Sequence, residues 1–442
     1  MFTTRDLYRL IIPLVIEQVL AMTIGMADTM MVASVGEAAV SGISLVDTIN
    51  QLLISIFSAL ATGGAVVASQ YLGAGDRKEA CSAAKQLVYS IAALSAGVML
   101  LSIAGRTHIL RLIFGQIEPV VMENAKVYFL LSALSYPFLG IFNAGAALYR
   151  AMGNSRASML VSVLMNLVNI SGNAIFIFGF GLGVRGAALA TLVSRVLGAV
   201  IMLVLIRHPS NPVYVEQLLH FEFRGNLVKN ILYIGIPNGL ENGLFQAGKI
   251  LVQSLVATFG TAAIAANAVA NNMAGMQVIP GNAMGLALIT VVGQCVGAED
   301  YEAAKRYTLK LMKVAYLTMG AWSLLLTFLS PAVARVYHLS PEVTEIAIQL
   351  MMLHGICGIV FWPSSFALPN ALRAASDVRF TMASSIFSVI VFRLGLSYLL
   401  GLGVGLGVQG VWLAMVCDWI FRSLLFVTRF FSGKWRGKRK LA

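Results

Sequence analysis

Charged side chains are scarce in this chain. Lys, Arg, Asp and Glu make up only 11% of its 442 residues, whereas 58% are hydrophobic and the mean hydropathy is +0.83. Soluble domains carry about 25% charged residues, so this chain is too apolar to be soluble. It is also far longer than a single membrane anchor, which needs about 20 apolar residues. The composition therefore predicts an integral membrane protein with many spans.

Cysteine is also scarce, and motifs of enzymes and cofactor sites are missing. The four cysteines are Cys81, Cys295, Cys357 and Cys417. No two are spaced as C-x-x-C, which argues against a disulfide framework and a zinc site. The chain lacks a P-loop, an H-E-x-x-H motif and a nucleophile elbow, and its two G-x-G-x-x-G matches, at 181–186 and 405–410, lie between apolar segments as tight turns. We therefore expect no cofactor, no resident metal site and no enzyme activity, while a bound Na+ stays open.

Twelve apolar segments of roughly membrane length follow one another along the chain. They cover approximately 8–33, 46–70, 86–105, 127–149, 158–179, 187–206, 229–258, 267–292, 311–331, 344–370, 381–400 and 409–430. Turn-like clusters of Gly, Pro, Asp and Arg separate them. The alternation typical of the strands of a membrane barrel is absent. The pattern predicts an all-α integral membrane protein with twelve transmembrane helices.

Lysine and arginine are unevenly distributed between the loops. With the N-terminus inside, 22 of them fall in inner loops and termini and five fall in outer loops. This asymmetry satisfies the positive-inside rule and predicts a multi-pass protein of the cytoplasmic (inner) membrane with both termini in the cytoplasm. The net charge of +12 is then mostly a topology signal. We expect the lipid bilayer, and no nucleic acid, as a partner, and we expect a monomer.

The second half of the chain repeats the first. The stretch "IPLVIEQ" at 12–18 aligns with "IPNGLEN" at 236–242, and "SQYLGAGD" at 69–76 aligns with "GQCVGAED" at 293–300. Both alignments have the same offset, and further matches follow in the same order along both halves. An internal repeat that spans half of the chain indicates a duplicated unit of six helices. Because six is even, both halves enter the membrane in the same direction.

The repeat defines the predicted domains. We expect an N-lobe over residues 1–206, a cytoplasmic linker over 207–228, and a C-lobe over 229–442 that ends in a basic cytoplasmic tail. Parallel repeats are related by an axis along the membrane normal. Two such six-helix bundles around a central cleft can rock against each other and expose the cleft to either side. The architecture therefore predicts a transporter, and the alternative is a structural subunit of a membrane complex.

Four motifs resemble one known family. They are "GMADTMMV" at 25–32, "SQYLGAGD" at 69–76, "ALYRAMGNSR" at 147–156 and "NLVNISGNAIFIFG" at 166–179. Together they resemble the multidrug and toxic compound extrusion (MATE) family, and the resemblance extends over nearly the whole chain. It implies a secondary active antiporter that exports small organic, often cationic, compounds in exchange for inward H+ or Na+. The alternative is a flippase or exporter of lipid-linked saccharides, which Arg195, Lys249 and Arg393 leave open because a cationic cavity suits phosphates.

Acidic residues inside apolar segments are the first candidates for the site. Glu17 and Asp28 are separated by roughly three helical turns, which places them on one face of helix 1. Glu241 stands at the repeat position of Glu17. Charged groups in the membrane interior are costly and indicate function. The resemblance assigns Asp28 to cation coupling in the N-lobe and Glu241 to cation or substrate binding, whereas Glu17 follows from the stripe; a structural role near Pro13 is the alternative for the helix 1 acids.

Helix 5 contributes three amides on one face, Asn166, Asn169 and Asn173. The resemblance implies that they belong to the cation-coupling site. Related sequences read N-x-x-N-x-x-x-D, so Asn173 stands where an aspartate is common. This change removes a negative charge and weakens the case for a tight Na+ site. Amides at this spacing also hold membrane helices together without any ligand.

Basic residues suggest structural contacts. Lys249 lies eight residues after Glu241 and is a candidate to neutralise it. Asp418 and Arg422, at i and i+4, predict an ion pair in a structural cluster with Arg393. A second set recurs in both halves, Arg150 with Arg373 and Gln70 with Gln294, and we expect it to pack helix ends.

The last candidates are residues for a substrate cavity and prolines for helix bends. The candidates for a substrate cavity are Met22, Met26, Met273, Met276 and His354. Methionine thioethers adapt to many ligands, although they also suit lipid-facing positions, and His354 is the one ionisable group of its segment. Pro13 and Pro237 interrupt helices 1 and 7 at matching places and predict paired bends.

Overall fold

A computed structural model gives the fold. It describes the backbone of residues 2–115, 117–218, 220–336 and 340–437, and their side chains except those of 23–29 and 336. Over these residues the chain contains helices and no strand. The prediction of an all-α chain is confirmed.

Twelve helical stretches follow one another in the described residues. The first six are α1 Thr4–Ala33, α2 Glu37–Gly73, α3 Arg77–Phe114, α4 Pro119–Leu134 with Tyr136–Ala151, α5 Ser155–Gly179 and α6 Gly183–Ile206. The second six are α7 Gly225–Ala257, α8 Thr261–Gln277 with Ile279–Gly297, α9 Tyr301–Val336, α10 Pro341–Ala374, α11 Val378–Gly403 and α12 Gly407–Phe431. Nine helices in the described part are long and apolar enough to cross a membrane, and the two pieces of α4, bent by 47°, add a tenth.

Side-chain caps and glycines fix where the helices begin and turn. Thr3 and Asp6 form a capping box at the start of α1, in which the Asp6 N–H donates to the Thr3 hydroxyl at 3.2 Å. The loops repeat between the halves in their backbone conformation. Gly36 and Gly260, at matching positions, both have positive φ (130° and 96°), as glycine readily allows.

The chain divides into two compact units. The N-unit covers Phe2–Gly239 and the C-unit begins at Leu240, so the boundary falls inside α7. In the N-unit, the buried rings of Phe57 and Tyr136 pack edge to face with centroids 6.1 Å apart. The first part of α7 packs closely on α2, because a Cβ added to Gly63 would lie only 2.6 Å from the Ile231 carbonyl oxygen.

The segment after α6 is fastened to α3. Arg77 donates to the carbonyl oxygens of Pro209 (2.9 Å), Asn211 (2.8 Å) and Pro212 (3.0 Å). Farther along α3, Gln86 donates to the Glu222 carbonyl oxygen at 2.6 Å. The described residues of the predicted linker are therefore held along α3 of the N-unit by hydrogen bonds.

The C-unit fastens the segment after its last helix in a different way. Tyr301, at the start of α9, packs edge to face on Trp435, and Trp435 stacks on Phe430 with centroids 5.5 Å apart. Arg436 donates to Glu302 at 2.7 Å. Aromatic packing here replaces the hydrogen bonds of Arg77.

Candidate functional site

A polar cavity lies inside the N-unit. Its volume is about 300 Å³. Residues from α1, α2, α4, α5 and α6 line it, and its polar lining includes Asp47, Asn166, Asn169, Asn173, Thr191 and Arg195. The cavity brings together the three predicted amides of α5 with an acid and a base. It is thus a place where a small cation or a polar group of a ligand can be bound by protein oxygens.

Asp47 is the acid of this cavity. Its Oδ1 accepts a hydrogen bond from the Asn50 amide at 3.1 Å, and the Tyr128 hydroxyl also donates to it. Asn50 in turn accepts from the buried Tyr136 hydroxyl at 2.9 Å. The carboxylate is therefore held in position by a chain of fixed donors, as buried polar networks require.

Arg195 supplies the positive charge of the cavity. Its Nη1 donates to the Ser135 hydroxyl at 2.7 Å, and the guanidinium interacts electrostatically with Asp47. No salt bridge within 4.0 Å joins the two among the described residues. The acid is thus near a cation without being locked to it, which leaves its oxygens able to take up a proton or another cation.

The three amides differ in how strongly they are engaged. Asn169 donates to the Thr191 hydroxyl at 3.2 Å, and the Asn173 amide donates to the Asn169 carbonyl oxygen at 3.4 Å. Asn166 faces the same cavity and is half-buried. The structure thus places all three predicted amides in one cavity; their role in cation coupling stays a prediction.

Sequence analysis missed Asp47 because it placed the start of the second segment at residue 46. The helix begins at Glu37 instead, and ten residues at 1.5 Å each bring Asp47 about 15 Å into it. The signal was the helix N-terminus at Gly36–Glu37, where a turn glycine is followed by an acid. Recognising it would have added Asp47 to the intramembrane acids.

Glu17 forms an ion pair inside the N-unit. Its Oε1 lies 3.7 Å from Nη1 of Arg150, and its Oε2 accepts from the Ser158 hydroxyl at 3.2 Å. The carboxylate is 13% exposed. Arg150, expected to pack a helix end, is thus the electrostatic partner of the predicted acid.

Glu241 forms the corresponding pair inside the C-unit, with one cation more. Its Oε1 accepts from Nη2 of Arg373 at 2.7 Å and from Nη2 of Arg422 at 3.4 Å. The three side chains are only 3–8% exposed. Arg373 is the repeat equivalent of Arg150, so the duplicated chain makes the same glutamate–arginine pair twice.

The partners of the basic residues differ from those expected. Lys249 does not pair with Glu241; its Nζ lies 5.2 Å from the Phe245 ring centroid. Arg422 binds Glu241, and the predicted i,i+4 ion pair with Asp418 does not form within 4.0 Å in the described residues. The Asp418 carboxylate accepts instead from the Ser388 hydroxyl.

The residues of the C-unit that were predicted for a substrate cavity lie in or against a hydrophobic core. His354 is 4% exposed, its Nδ1 is 2.6 Å from Oε1 of Gln277, and its ring packs on Trp419 with centroids 5.0 Å apart. Met273 belongs to the same hydrophobic core, and Met276 packs against it. These side chains are therefore packed inside the C-unit, and a role in binding substrate stays a prediction.

Two of the candidates on α1 lie outside the described side chains. These are Asp28 and Met26, whose backbone alone is described, as part of α1. Met22 is half-buried. Pro13 and Pro237 each lie inside an unbroken helix, α1 and α7, and the predicted bends stay predictions. Among the described side chains, no group of three or more His, Cys, Asp or Glu is arranged to hold a metal ion.

A family model matches the chain twice. The MatE model covers residues 13–175 and again residues 237–399, together about three quarters of the chain. The starts and the ends of the two matches are separated by the same offset as the internal repeat, since residue 12 aligns with 236 and residue 13 with 237. The duplication predicted from the sequence therefore coincides with two copies of the family unit.

Relatives and solved structures agree with this match. The chain is 29% identical to a probable multidrug resistance protein, NorM, of Thermotoga maritima, over 99% of this chain and 94% of that one. It is 27% identical to an uncharacterized transporter, YisQ, of Bacillus subtilis, over 98% and 95%.

Two solved structures have the same fold. One is an outward-facing multidrug resistance MATE family transporter (TM-score 0.89, 21% identity, covering 97% of this chain and 94% of that one). The other is a transporter of the MOP superfamily from Pyrococcus furiosus, described as having a binding pocket of reverse polarity (TM-score 0.89, 22% identity, 97% and 95%). The predicted architecture of twelve helices in two six-helix lobes is confirmed.

Proposed function

Because the chain belongs to the multidrug and toxic compound extrusion (MATE) family of membrane transporters, we propose that it exports organic cations in exchange for inward H+. Export runs across the cytoplasmic membrane by alternating access of the two lobes. The protein works as a monomer with both termini in the cytoplasm. Na+ is the alternative coupling ion.

The polar cavity of the N-unit is the observation that carries this proposal. Asp47 lies in a space of about 300 Å³ beside three amides and Arg195. A carboxylate in such a space has two states that a transporter can use, one ionised and one protonated. Each state presents a different charge and a different hydrogen-bonding pattern to whatever shares the cavity.

Coupling follows from competition for this carboxylate. Protonation of Asp47 removes its negative charge and leaves the charge of Arg195 uncompensated, so a cationic compound is disfavoured nearby. Loss of the proton restores attraction for a cation. Binding of H+ and binding of the exported cation are therefore linked with opposite sign, and linkage of this kind is reciprocal between the two ligands.

The ligand set of the cavity favours H+ over Na+. Sodium prefers several hard oxygen ligands, and Asn173 supplies an amide at the position where related sequences have an aspartate. One described acid, Asp47, with a cation beside it gives a weak site for a metal ion. A proton needs only one carboxylate, so the proton is the coupling ion that this cavity suits better.

Transport into inside-out membrane vesicles tests the proposal. Uptake of a cationic fluorescent dye is measured under an imposed pH gradient and, separately, under an imposed Na+ gradient. We expect the pH gradient alone to drive uptake by the wild-type protein. Asp47→Asn is expected to lower this uptake roughly tenfold or more, a loss in the range of typical coupling free energies.

Glu37→Gln is the matched control, since Glu37 is an exposed acid at the start of the same helix. It should transport like the wild type. Full proton-driven uptake by Asp47→Asn would contradict the role of the cavity. Uptake driven by the Na+ gradient alone would contradict the choice of coupling ion, and no uptake under either gradient would contradict export of organic cations.

A further inference from the structure

The first turns of α3 and α9 occupy matching positions of the repeat but differ in what covers them. Both helices begin at the same point of the repeat, on the predicted cytoplasmic side. In the N-unit, Gln86 of α3 donates to the Glu222 carbonyl oxygen at 2.6 Å, and the Tyr89 hydroxyl donates to the Leu218 carbonyl oxygen at 2.8 Å. The linker therefore covers this face of α3 with protein.

The corresponding face of α9 carries cations instead. Three exposed side chains stand at i, i+4 and i+7, within about 60° of one another around the helix: Arg306, Lys310 and Lys313. Lys310 stands at the repeat position of Gln86, and Lys313 stands at that of Tyr89. Their exposure shows that no described segment lies over this face of α9 in the way that the linker lies over α3.

Acids of the described part of the chain do not neutralise this face. Neither Arg306 nor Lys313 has a carboxylate within 4.0 Å there. Glu302, one turn before Arg306, is occupied by Arg436 at 2.7 Å. The Arg306 guanidinium lies 5.6 Å from the Tyr307 ring centroid, and a cation–π contact of this kind leaves its N–H groups able to bind an anion.

The cationic face continues into one that suits lipid tails. Leu317, Leu324 and Phe328 lie on the same side of α9 and are 62% to 81% exposed. The helix, Tyr301–Val336, has 36 residues and is about 54 Å long, whereas a hydrocarbon core is about 30 Å thick. Lys313 precedes Leu317 by one turn, at the end of the apolar part. One helix face therefore changes from apolar to basic, as a phospholipid changes from acyl chain to phosphate.

We propose that Arg306, Lys310 and Lys313 bind the headgroup of an anionic phospholipid of the phosphatidylglycerol class. The headgroup takes the place on α9 that the linker takes on α3, and the acyl chains pack along the apolar part of the same face. The last five residues of the sequence, "KRKLA", carry three cations, so their charge does not complement this face. A phospholipid supplies both the anion and the apolar chains that the face matches.

Lipid binding to the purified full-length protein tests this surface. Native mass spectrometry counts the bound lipid while phosphatidylglycerol or phosphatidylcholine is titrated, and inorganic phosphate is added as a competitor. The test variant combines Arg306→Gln with Lys313→Gln. The matched control combines Arg5→Gln with Arg9→Gln, which removes two exposed cations of α1 on the same predicted side of the membrane.

We expect the wild type to bind phosphatidylglycerol about tenfold or more tightly than phosphatidylcholine. The α9 variant should bind phosphatidylglycerol about twentyfold more weakly than the wild type, since each cation near an anionic lipid contributes roughly a factor of five. The α1 control should stay within about twofold of the wild type. Arg306→Lys combined with Lys313→Arg should bind like the wild type, because both charges are kept.

Hydrogen exchange separates loss of the lipid from loss of the fold. Phosphatidylglycerol should slow amide exchange at 301–313 in the wild type but not in the α9 variant. Residues 77–89 of α3, which the linker covers, should not respond to the lipid in either protein. Without lipid, the α9 variant should exchange like the wild type, because the substituted side chains are exposed.

Four results would overturn the lipid site. Unchanged affinity for phosphatidylglycerol in the α9 variant would remove it. An equal loss of affinity in the α1 control would mean that anionic lipid is attracted to the whole basic side of the protein. Displacement of the lipid by inorganic phosphate would mean that the cations bind a free anion. Equal affinity of the wild type for phosphatidylcholine would mean that the acyl chains alone are recognised.

Discussion

The two units are copies of one repeat, but they differ in their charged side chains within the helices. In the N-unit, Glu17 faces the single cation Arg150, and a second acid, Asp47, lies near Arg195. In the C-unit, Glu241 faces two cations. Lys249 and Arg393 lie over the ring of Phe245, and the buried Asp418 accepts from Ser388. Acids and cations are equal in number among these described side chains of the N-unit, whereas cations outnumber acids among those of the C-unit.

The repeat positions show what was kept and what diverged. The glutamate–arginine pair occurs in both units, as Glu17 with Arg150 and as Glu241 with Arg373. The polar positions of the N-unit cavity are not kept: Asn271 stands at the position of Asp47, Trp419 at that of Arg195, and Arg393 at that of Asn169. Duplication thus preserved the ion pair and changed the residues at the positions of the N-unit cavity. The role of Glu17 and Glu241 in cation coupling stays a prediction.

The largest effect is expected from removing the glutamate of each pair. Glu241→Gln leaves Arg373 and Arg422 buried without a carboxylate, which should destabilise the protein by about 3–5 kcal/mol, as for a broken buried ion pair. Glu17→Gln removes a looser pair with one arginine at 3.7 Å and should cost about 1 kcal/mol. Thermal unfolding of both variants in detergent measures the difference. Equal shifts of the unfolding temperature would show that the second arginine adds nothing to the C-unit pair.

A smaller effect is expected from loosening the segments that follow α6 and α12. Arg77→Ala removes three hydrogen bonds to the carbonyl oxygens of 209–212, which should raise the population of the locally opened linker about tenfold. Limited proteolysis of the linker measures this population. Tyr301→Ala, at the repeat position, should leave linker cleavage unchanged and expose the segment around Trp435 instead. Faster linker cleavage in Tyr301→Ala would contradict independent fastening of the two segments.

The smallest effect is expected at a turn that repeats with different residues. Gly75 and Glu299 stand at matching positions and both adopt positive φ, 78° and 55°. The left-handed conformation costs a non-glycine residue about 1–2 kcal/mol. Replacing that residue by glycine removes this cost, but the greater conformational freedom of glycine in the unfolded chain offsets part of the stabilisation. Glu299→Gly should therefore raise stability by a few tenths to about 1 kcal/mol, and Gly75→Ala should lower it by about as much. Thermal unfolding that moves both variants in the same direction would contradict this assignment.

The sequence predicted the large features of the fold because they depend on hydropathy, loop charge and a repeat. All twelve apolar segments coincide with helical stretches, and the offset of the repeat recurs in the two family matches. Helix ends were less predictable: α2 begins nine residues before the apolar segment does. Polar residues in its first turns lower the local hydropathy, so the hydropathy pattern did not show that Asp47 lies well inside the helix.

Partners of the charged residues were the least predictable part of the site. The sequence showed that Glu17 and Arg150 both recur in the second half, yet nothing in it showed that they touch, because they are separated by most of the N-unit. Lys249 was nearer to Glu241 along the chain, but about 80° round the helix, and Arg373 reached the carboxylate instead. Contacts between distant helices depend on packing angles and rotamers, which hydropathy and spacing do not contain.

Helix α7 passes from one unit to the other without a loop. Its residues up to Gly239 belong to the N-unit, anchored through Gly63, and those from Leu240 onward belong to the C-unit. Pro237, two residues before the boundary, has no N–H to donate to the preceding turn. The turn that contains Pro237 is therefore where α7 can bend with the smallest loss of backbone hydrogen bonds, and Glu241 with its two arginines lies one turn farther along the helix.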